Sequence, residues 1–459
     1  MATMKNERIY YVIDLFAGCG GLSEGFSQAG FKVIARIEMN RWACETLKTR
    51  CLYHKLKEKR QAPVYFKYLK EEITKDEIYD AFPDIKKEIE LEVIQAEFGK
   101  DNFKRILDRI EDVKKYYRIP ESRIHVVLGG PPCQPYSLVG RARDPQRMVN
   151  DNRHFLYEYY LEILKAIQPD FFVFENVPGL ITAEAKGQEI FSKMLEDFRN
   201  ISPPYKIAPT FDEYSKNPRE YLLDSSKYGV PQRRKRVVFI GYKEIILSKK
   251  SDVKDVFKKI LKAREPSNGG HTVSDAIGDL PFLKPREGND GWFDEYRNSV
   301  ITPYQQLMRK NSPGIINHRA RTHMKSDLER YKFFIERHLN GNKAATLIDL
   351  MKEKSDLTPA HNHLDKFLDR FKVQWWSQPA STITAHICKD GHYYIHPDIF
   401  QCRSFTVREA ARCQSFPDNF KFEGPRTEQF RQVGNAVPPY LAGIMARFIL
   451  KELKELYGK

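Results

Sequence analysis

Apolar and polar positions along the chain follow two rhythms. Compact apolar runs recur at Tyr10–Phe16, Phe31–Ile37, Val126–Leu128, Phe171–Phe174 and Val237–Ile240, with a further β-like run near Tyr205–Ala208. They are short, rich in β-branched and aromatic residues, and bounded by polar or turn-forming positions, which predicts buried strands. Between them lie stretches with helical spacing, Ser23–Ala29, Asn40–Arg50, Asn152–Gln168 and Gly187–Ile201. Late in the chain, Phe405–Asp418 predicts a helix with Thr406 as its cap and Phe-Pro-Asp as its stop, and Tyr440–Leu456 repeats apolar residues at i, i+3 and i+4. Strands alternating with helices predict an α/β fold around a mostly parallel, mixed sheet.

Two intervals break the rhythm. Cys51 to about Lys104 is dense in Lys and Glu, with Ile85, Ile89, Val93 and Ile94 at helical spacing. This predicts two or three surface helices inserted into the core, with no evident function. From Glu244 to Gln401 the alternation fades. Gly/Pro/Asn-rich stretches at Ser267–Gly270 and Pro285–Gly291, and β-like runs at Thr382–Ile387 and Tyr393–Ile395, predict a smaller, irregular second domain. The expected organisation is a catalytic domain over 1–243 with the insert at 51–104, a second domain over 244–401, and a return to the first over 402–459.

Composition narrows the function classes. The 459 residues carry a formal net charge of +15, and the pI is about 9.2. Such an excess of cations on a chain with 41% hydrophobic residues suits a polyanionic partner, nucleic acid above all, with a merely basic surface as the alternative. Seven scattered cysteines without a C-x-x-C pair argue against a disulfide framework or a zinc site. The polar stretch Met1–Arg8 is no signal core, and no run approaches the ~20 apolar residues of a membrane span. A soluble intracellular protein is expected. His361 and His363, and His386, His392 and His396, lack a cysteine partner at ligand spacing, so no metal is expected.

Candidate chemistry sits at predicted strand ends. After the first strand, Ala17-Gly18-Cys19-Gly20-Gly21 leads into a helix, the opening of a nucleotide-binding α/β unit. Glu38 ends the second strand, where an acid can accept hydrogen bonds from ribose hydroxyls; a surface carboxylate is the plain alternative. Val126–Leu128 runs into Gly129-Gly130-Pro131-Pro132-Cys133-Gln134-Pro135-Tyr136-Ser137. A cysteine held among prolines at a strand end presents its sulfur in one geometry, although a lone cysteine is more often a small buried hydrophobe. The following loop carries Arg141 and Arg143 and suits closure over a phosphate backbone. Glu175-Asn176-Val177 follows the strand Phe171–Phe174, which puts Cys133 and Glu175 on one rim. In Gln232-Arg233-Arg234-Lys235-Arg236, strand alternation puts Arg234 and Arg236 on one face, expected to be the catalytic pocket; an exposed basic patch is the alternative.

Taken together, Asp-Leu-Phe-Ala-Gly-Cys-Gly-Gly, the Glu after strand two, Pro-Pro-Cys-Gln, Glu-Asn-Val, Gln-x-Arg-x-Arg and Gln-Val-Gly-Asn-Ala-Val-Pro-Pro resemble the cytosine-C5 methyltransferases, in that family's order. The resemblance implies a Rossmann-like S-adenosylmethionine-dependent methyltransferase fold and an irregular target recognition domain. It implies a cofactor site of Asp14, Phe16, Ala17, Gly18, Gly20, Gly21, Glu38, Met39, Pro132, Leu156, Asn435 and Ala436. Phe16 would pack on the adenine and Glu38 would hold the ribose. Asp112 is placed near the adenine amino group, with a helix-surface position as its alternative. Catalytic roles fall to Cys133, Glu175, Arg234 and Arg236. Gln134, Ser137, Val139, Arg141, Arg143 and Thr384 are implied at the DNA, with Val139 filling the gap left by a displaced base. The partner implied is double-stranded DNA, in a bacterial cytoplasm, for a monomer of the restriction-modification kind with a cognate endonuclease encoded nearby. A transfer-RNA methyltransferase of the same fold is the alternative among enzymes, and a catalytically dead nucleic-acid-binding regulator the alternative outside them.

Overall fold

The structure, a computed structural model, describes residues 8–120, 123–132, 156–185, 188–208, 217–243, 270–297, 302–339, 345–359 and 368–458. The first half alternates as its apolar pattern predicts: β1 (Tyr11–Leu15), α1 (Gly21–Gln28), β2 (Lys32–Glu38) and α2 (Arg41–Glu58). Then come α3 (Ala62–Leu69), α4 (Lys75–Ala81), α5 (Pro83–Glu92), β3 (Val93–Gln95), α6 (Lys100–Tyr116) and β4 (Val126–Gly129). α7 (Leu156–Ile167), β5 (Phe171–Asn176), α8 (Ile190–Asn200), β6 (Tyr205–Ala208), β7 (Leu222–Asp224) and β8 (Lys235–Lys243) complete the sheet region. Strand order is β3-β2-β1-β4-β5-β8-β6, with β7 also on β8. β1 to β5 are parallel to one another, and β8 runs antiparallel to β5, β6 and β7.

Strand residues alternate between two apolar layers, as a sheet covered on both faces requires. Ile13, Leu15, Val127, Phe172 and Phe174 pack toward α6, α7 and α8. Val12, Val126, Leu128, Phe171 and Val173 pack toward α1 and the final helix. Tyr160 of α7 donates its hydroxyl toward the Val127 and Val173 carbonyls, each at 3.0 Å.

The expected surface insert is only partly that. α2 continues past Arg50 to Glu58, and Val93 and Ile94 form β3, which pairs with β2 through Ile37 and Ile94. Val93 follows Ile85 and Ile89 in helical phase, so periodicity alone does not separate the strand from α5; the free edge of β2 does. The insert proper is α3 to α5, and its Tyr65, Leu69, Ile78, Ile85 and Ile89 bury against Leu47, Leu52 and Leu56 of α2.

The second lobe contains α9 (Val273–Ile277), α10 (Pro303–Arg309), α11 (Lys325–Leu339) and α12 (Leu347–Glu353), followed by α13 (Val407–Cys413), α14 (Arg426–Asn435) and α15 (Pro439–Tyr457). The run 382–387 is not a strand: its first half is irregular and its second half enters a 3₁₀ turn (Ala385–Cys388). Phe405, Val407, Phe416, Phe420, Phe422 and Phe430 share one core with Val273, Ile277, Tyr304, Ile315 and Ile383. Packing therefore continues across residue 402, and α15 is the element that returns to the sheet. Where regular ladders are sparse, buried arginines hold the lobe together. Arg412 pairs with Asp279 at 3.2 Å and with Asp418 at 2.5 Å, all fully buried. Arg408 donates to the carbonyls of Ile316, Pro417 and Phe420.

Two expectations follow from this packing. Arg412→Ala removes the guanidinium that joins two buried carboxylates, leaving Asp279 with Arg309 and Asp418 with only the Tyr296 hydroxyl, and is expected to cost about 3–5 kcal/mol in urea unfolding. By contrast, removing the exposed Lys451 of the Lys451–Glu455 pair is expected to change stability by less than about 0.5 kcal/mol. Asp14 supplies the second expectation. It is fully buried on β1 and accepts from the Ser23 hydroxyl of α1. Burial lifts its carboxyl to about 6, with Ser23 and Arg36 opposing, whereas an unfolded Asp titrates near ~3.9. The folded state thus keeps a proton that the unfolded state gives up. The contribution is full below about pH 4 and is lost as pH rises through about 6. Asp14→Asn is expected to escape that loss, gaining on the order of 3 kcal/mol on wild type between pH 4 and 7. Equal pH dependence in the two proteins would contradict this.

Candidate active site at the carboxyl rim of the sheet

Between β1 and β4 the chain reverses its direction of winding, and ligands of open α/β sheets bind outside the carboxyl ends of such strands. Both glycine-containing loops emerge there. After β1 the backbone turns sharply, with φ of 54° at Phe16, 56° at Gly18 and 89° at Gly20. Glycine takes such angles at little cost. The space beside Gly18 is open, with nothing within 4 Å of where a Cβ would stand. At Gly21 a Cβ would lie 2.1 Å from the Val437 carbonyl oxygen, so the turn and the segment before α15 meet backbone to backbone. Ala436 is buried in this contact, while Asn435 is exposed at the end of α14.

Glu38 fixes the turn from the neighbouring strand. Its carboxylate accepts from the Gly18 amide at 2.9 Å and from the Asn40 amide at 2.8 Å. Burial raises its pKa and those amides oppose the rise. Ala17 donates its amide to the Ile37 carbonyl, and Met39 beside Glu38 is 55% exposed. Phe16 meets Phe98 with ring centroids 4.4 Å apart, and Phe98 faces Tyr159 of α7. Leu156 packs against the same core. The structure thus gathers Phe16, Ala17, Gly18, Gly20, Gly21, Glu38, Met39, Leu156, Asn435 and Ala436 around the β1 end of the rim.

Two of the expected cofactor residues fall elsewhere. Asp14 lies beneath the glycine turn, its carboxylate engaged by Ser23 rather than open to the crevice. Asp112 is exposed near the far end of α6. α6 leaves the carboxyl rim after β3 and runs back along the sheet. At 1.5 Å per residue, Asp112 is about 18 Å along it. The acid at the rim is Glu97, just past β3 and next to Phe98, and the Ala96 amide before it donates to the Glu38 carbonyl. An acid immediately after a strand is a signal that points to Glu97, but the periodicity of β3 reads as helix and hides it.

At the β4 and β5 ends, Gly130 passes close over Glu175: a Cβ there would be 3.0 Å from Oε2. Asn176 donates its side-chain amide toward the Pro131 carbonyl at 3.4 Å. Pro132 is exposed on the rim. Arg236 enters from β8 and pairs with Glu175, Nε to Oε1, at 2.8 Å. Arg234 does not share that position. Its amide donates to the Gln232 carbonyl two residues back, a tight turn that breaks strand alternation before β8 begins. Its fully buried guanidinium donates to the carbonyls of Ile383 and Gly434 at 2.6 and 3.2 Å. Arg234 therefore ties elements together and does not line the Glu175 pocket.

Gln232 and Gln414 extend this tie, and no local sequence pattern marks them for it. Gln232 donates to Gln414 and accepts from the Ile383 amide, and Gln414 donates to the Val433 carbonyl at 2.8 Å. Thr384, exposed in the next turn, is held through its amide by the Tyr394 hydroxyl. Cys133, Gln134, Ser137, Val139, Arg141 and Arg143 lie outside the described residues. Among the described residues no group of three or more His, Cys, Asp or Glu is arranged to hold a metal, and no single helix is long and apolar enough to cross a membrane.

The chain is similar to known proteins over almost its whole length. The family described as C-5 cytosine-specific DNA methylase matches residues 10–83 and 85–451. A type II methyltransferase, M.Bpa9945I of Bacillus paralicheniformis, is 40% identical over 456 residues, covering 95% of this chain and 98% of that protein. M.DdeI of Desulfomicrobium norvegicum is 29% identical over 95% of this chain and 88% of its own length. Among solved structures, a prophage-encoded DNA modification methyltransferase from E. coli superposes with a TM-score of 0.60 at 23% identity, covering 97% of this chain and 99% of that one. With a family match across almost its whole length and a full-length relative at 40% identity, the chain belongs to the C-5 cytosine-specific DNA methylases.

Proposed function

We propose that this DNA cytosine-C5 methyltransferase moves the methyl group of S-adenosylmethionine to C5 of a flipped-out cytosine in a short double-stranded DNA sequence, through a covalent bond from Cys133 to C6. The observation that carries the site assignment is the Glu175–Arg236 pair, set at the strand ends directly beside the Gly130–Pro131 backbone that leads into Cys133.

The β1 end fits the cofactor. The open space beside Gly18 admits a ligand against the backbone. Phe16, backed by the buried Phe98, offers an aromatic face to a purine, and Glu38 retains lone pairs for ribose hydroxyls beyond the two amides it holds. Asn435 reaches the same crevice from α14. When bound, S-adenosylmethionine supplies a methyl group activated by a sulfonium.

The protein's own steps follow from the reactivity of cytosine. C5 is a poor nucleophile until a thiolate adds at C6. The Cys133 sulfur forms the S–C6 bond, and electron density moves through the ring toward N3 and O2. Glu175 delivers a proton to N3, and Arg236 stabilises the charge at O2. Methyl transfer to C5 leaves S-adenosylhomocysteine; the C5 proton then goes to base, the C6–S bond breaks to regenerate the Cys133 thiolate, and N3 returns its proton to Glu175. The chemistry requires the base outside the helical stack, at a cost of a few kcal/mol that phosphate contacts from the cationic surface offset. Thr384 serves as one such contact. Gln134, Ser137, Val139, Arg141 and Arg143 act from the segment that follows Cys133 in the sequence, with Val139 in the vacated space.

The type II relatives support a role in restriction-modification. On this reading the enzyme is a monomer in a bacterial cytoplasm that protects sites from a cognate endonuclease encoded nearby. Bisulfite sequencing of DNA and RNA from a host lacking cytosine methylation tests the reading. Wild type is expected to methylate one short DNA sequence, Cys133→Ala none, and Glu175→Gln to turn over about 10²–10⁴ times more slowly with cofactor binding nearly unchanged. Methylation confined to RNA, or turnover by Cys133→Ala, would overturn it.

A further inference from the structure

The inserted helices α3 to α5 are the part of the catalytic lobe to which the methyl-transfer chemistry gives no task. Their packing is not confined to that lobe. Tyr65 of α3 donates its hydroxyl to the Asn419 carbonyl at 3.0 Å. Tyr68, one turn on, donates to Glu423 Oε1 at 2.6 Å and accepts from Lys421 at 3.0 Å. Lys75, at the start of α4, stands 3.6 Å from the same Glu423 oxygen. Phe66 faces Trp292, and Lys70 lies over the Trp292 ring and 3.6 Å from Asp294.

Glu423 is three residues before α14, and the grip passes along that helix. Thr46 of α2 accepts from the Glu423 amide at 2.8 Å and donates to the Gln432 side chain at 2.6 Å. Gln432 in turn donates to the Glu423 carbonyl at 2.9 Å. At the other end of α14, a Cβ on Gly434 would lie 2.3 Å from both the Thr384 carbonyl carbon and the Ala385 nitrogen. Asn435 follows immediately. A displacement of the start of α14 is therefore transmitted, with no slack, to the Thr384 turn and to Asn435.

We propose that the inserted helices brace the second lobe: by holding Asn419 and Glu423 they set the position of α14, and through it the positions of Thr384 at the DNA and Asn435 at the cofactor. Tyr65, Tyr68 and Lys75 are positioning residues on this account. The proposal rests on the roles given above to Thr384 and Asn435.

The test uses the full chain with Tyr68→Phe, which removes one hydroxyl and leaves the ring. Hydrogen exchange over 426–435, KM for DNA, kcat, and the dissociation constant of S-adenosylhomocysteine are measured. Exchange protection of α14 is expected to fall at least tenfold, KM for DNA and the S-adenosylhomocysteine constant to rise about five- to tenfold, and kcat at saturation to stay within twofold. Lys75→Met is expected to act in the same direction and Lys75→Arg to behave as wild type, so the test survives if Tyr68→Phe folds poorly. Unchanged α14 protection in both weakened variants overturns the brace. So does a lower melting temperature with unchanged KM and binding, since the insert would then be structural only. Thr384→Ala and Asn435→Ala separate the two layers: if neither weakens its own ligand, the fault lies in those assignments.

Discussion

Only backbone fits between Gly21 and Val437. That contact, in which a single added methyl group would sit 2.1 Å from a carbonyl oxygen, is the constraint on which the site depends. It forces the chain, after its excursion through the second lobe, to return to the turn that follows β1. The return places α15 on the sheet and brings Asn435 to the rim where Glu38 and Phe16 already stand. The two halves of the proposed cofactor crevice lie at opposite ends of the sequence, and contact without side chains between them is what makes the crevice one surface.

The second lobe solves a different problem. It has little regular sheet, so many buried carbonyls lack a ladder partner, and such groups must be satisfied. Arginine meets the need because its planar group donates in several directions at once. Arg408 serves three carbonyls, Arg234 serves two, and Arg412 ties Asp279 to Asp418. The net positive charge is thus not all surface for a polyanion. Part of it is interior scaffolding, and one arginine of the Gln-x-Arg-x-Arg segment belongs to that part while the other faces Glu175.

Much of this architecture is legible in the amino-acid sequence. Strands at 11–15, 32–38, 126–129 and 171–176 announce themselves because both faces are buried and the runs are largely apolar. The placement of Gly18, Glu38, Gly130 and Glu175 at one rim is legible because each follows or ends a strand whose apolar run stands out. What escapes a sequence reading does so for physical causes. β3 is three residues long and in phase with the preceding helix, so nothing local distinguishes it, and Glu97 is hidden with it. Arg234 departs from the expected pocket because a tight turn at Gln232–Arg234 cancels the alternation that a strand would impose. Gln232 and Gln414 act through partners up to 182 positions away, which no local pattern reveals. Asp112 occupies a suitable interval in the chain, but α6 carries it away from the rim.

The proposed mechanism rests on attack by Cys133 at C6 of a cytosine whose N3 and O2 meet the paired Glu175 and Arg236. The most direct measurement is mass spectrometry of the enzyme incubated with S-adenosylmethionine and DNA carrying 5-fluorocytosine at the methylated position. Fluorine at C5 cannot leave as a cation, so the proton loss that frees the enzyme is blocked after methyl transfer. A stable one-to-one adduct is expected, its only modified peptide carrying the methylated fluorocytosine on Cys133. Full methylation of unmodified DNA with no trapped adduct on the fluorinated strand, or an adduct on another residue, would contradict it.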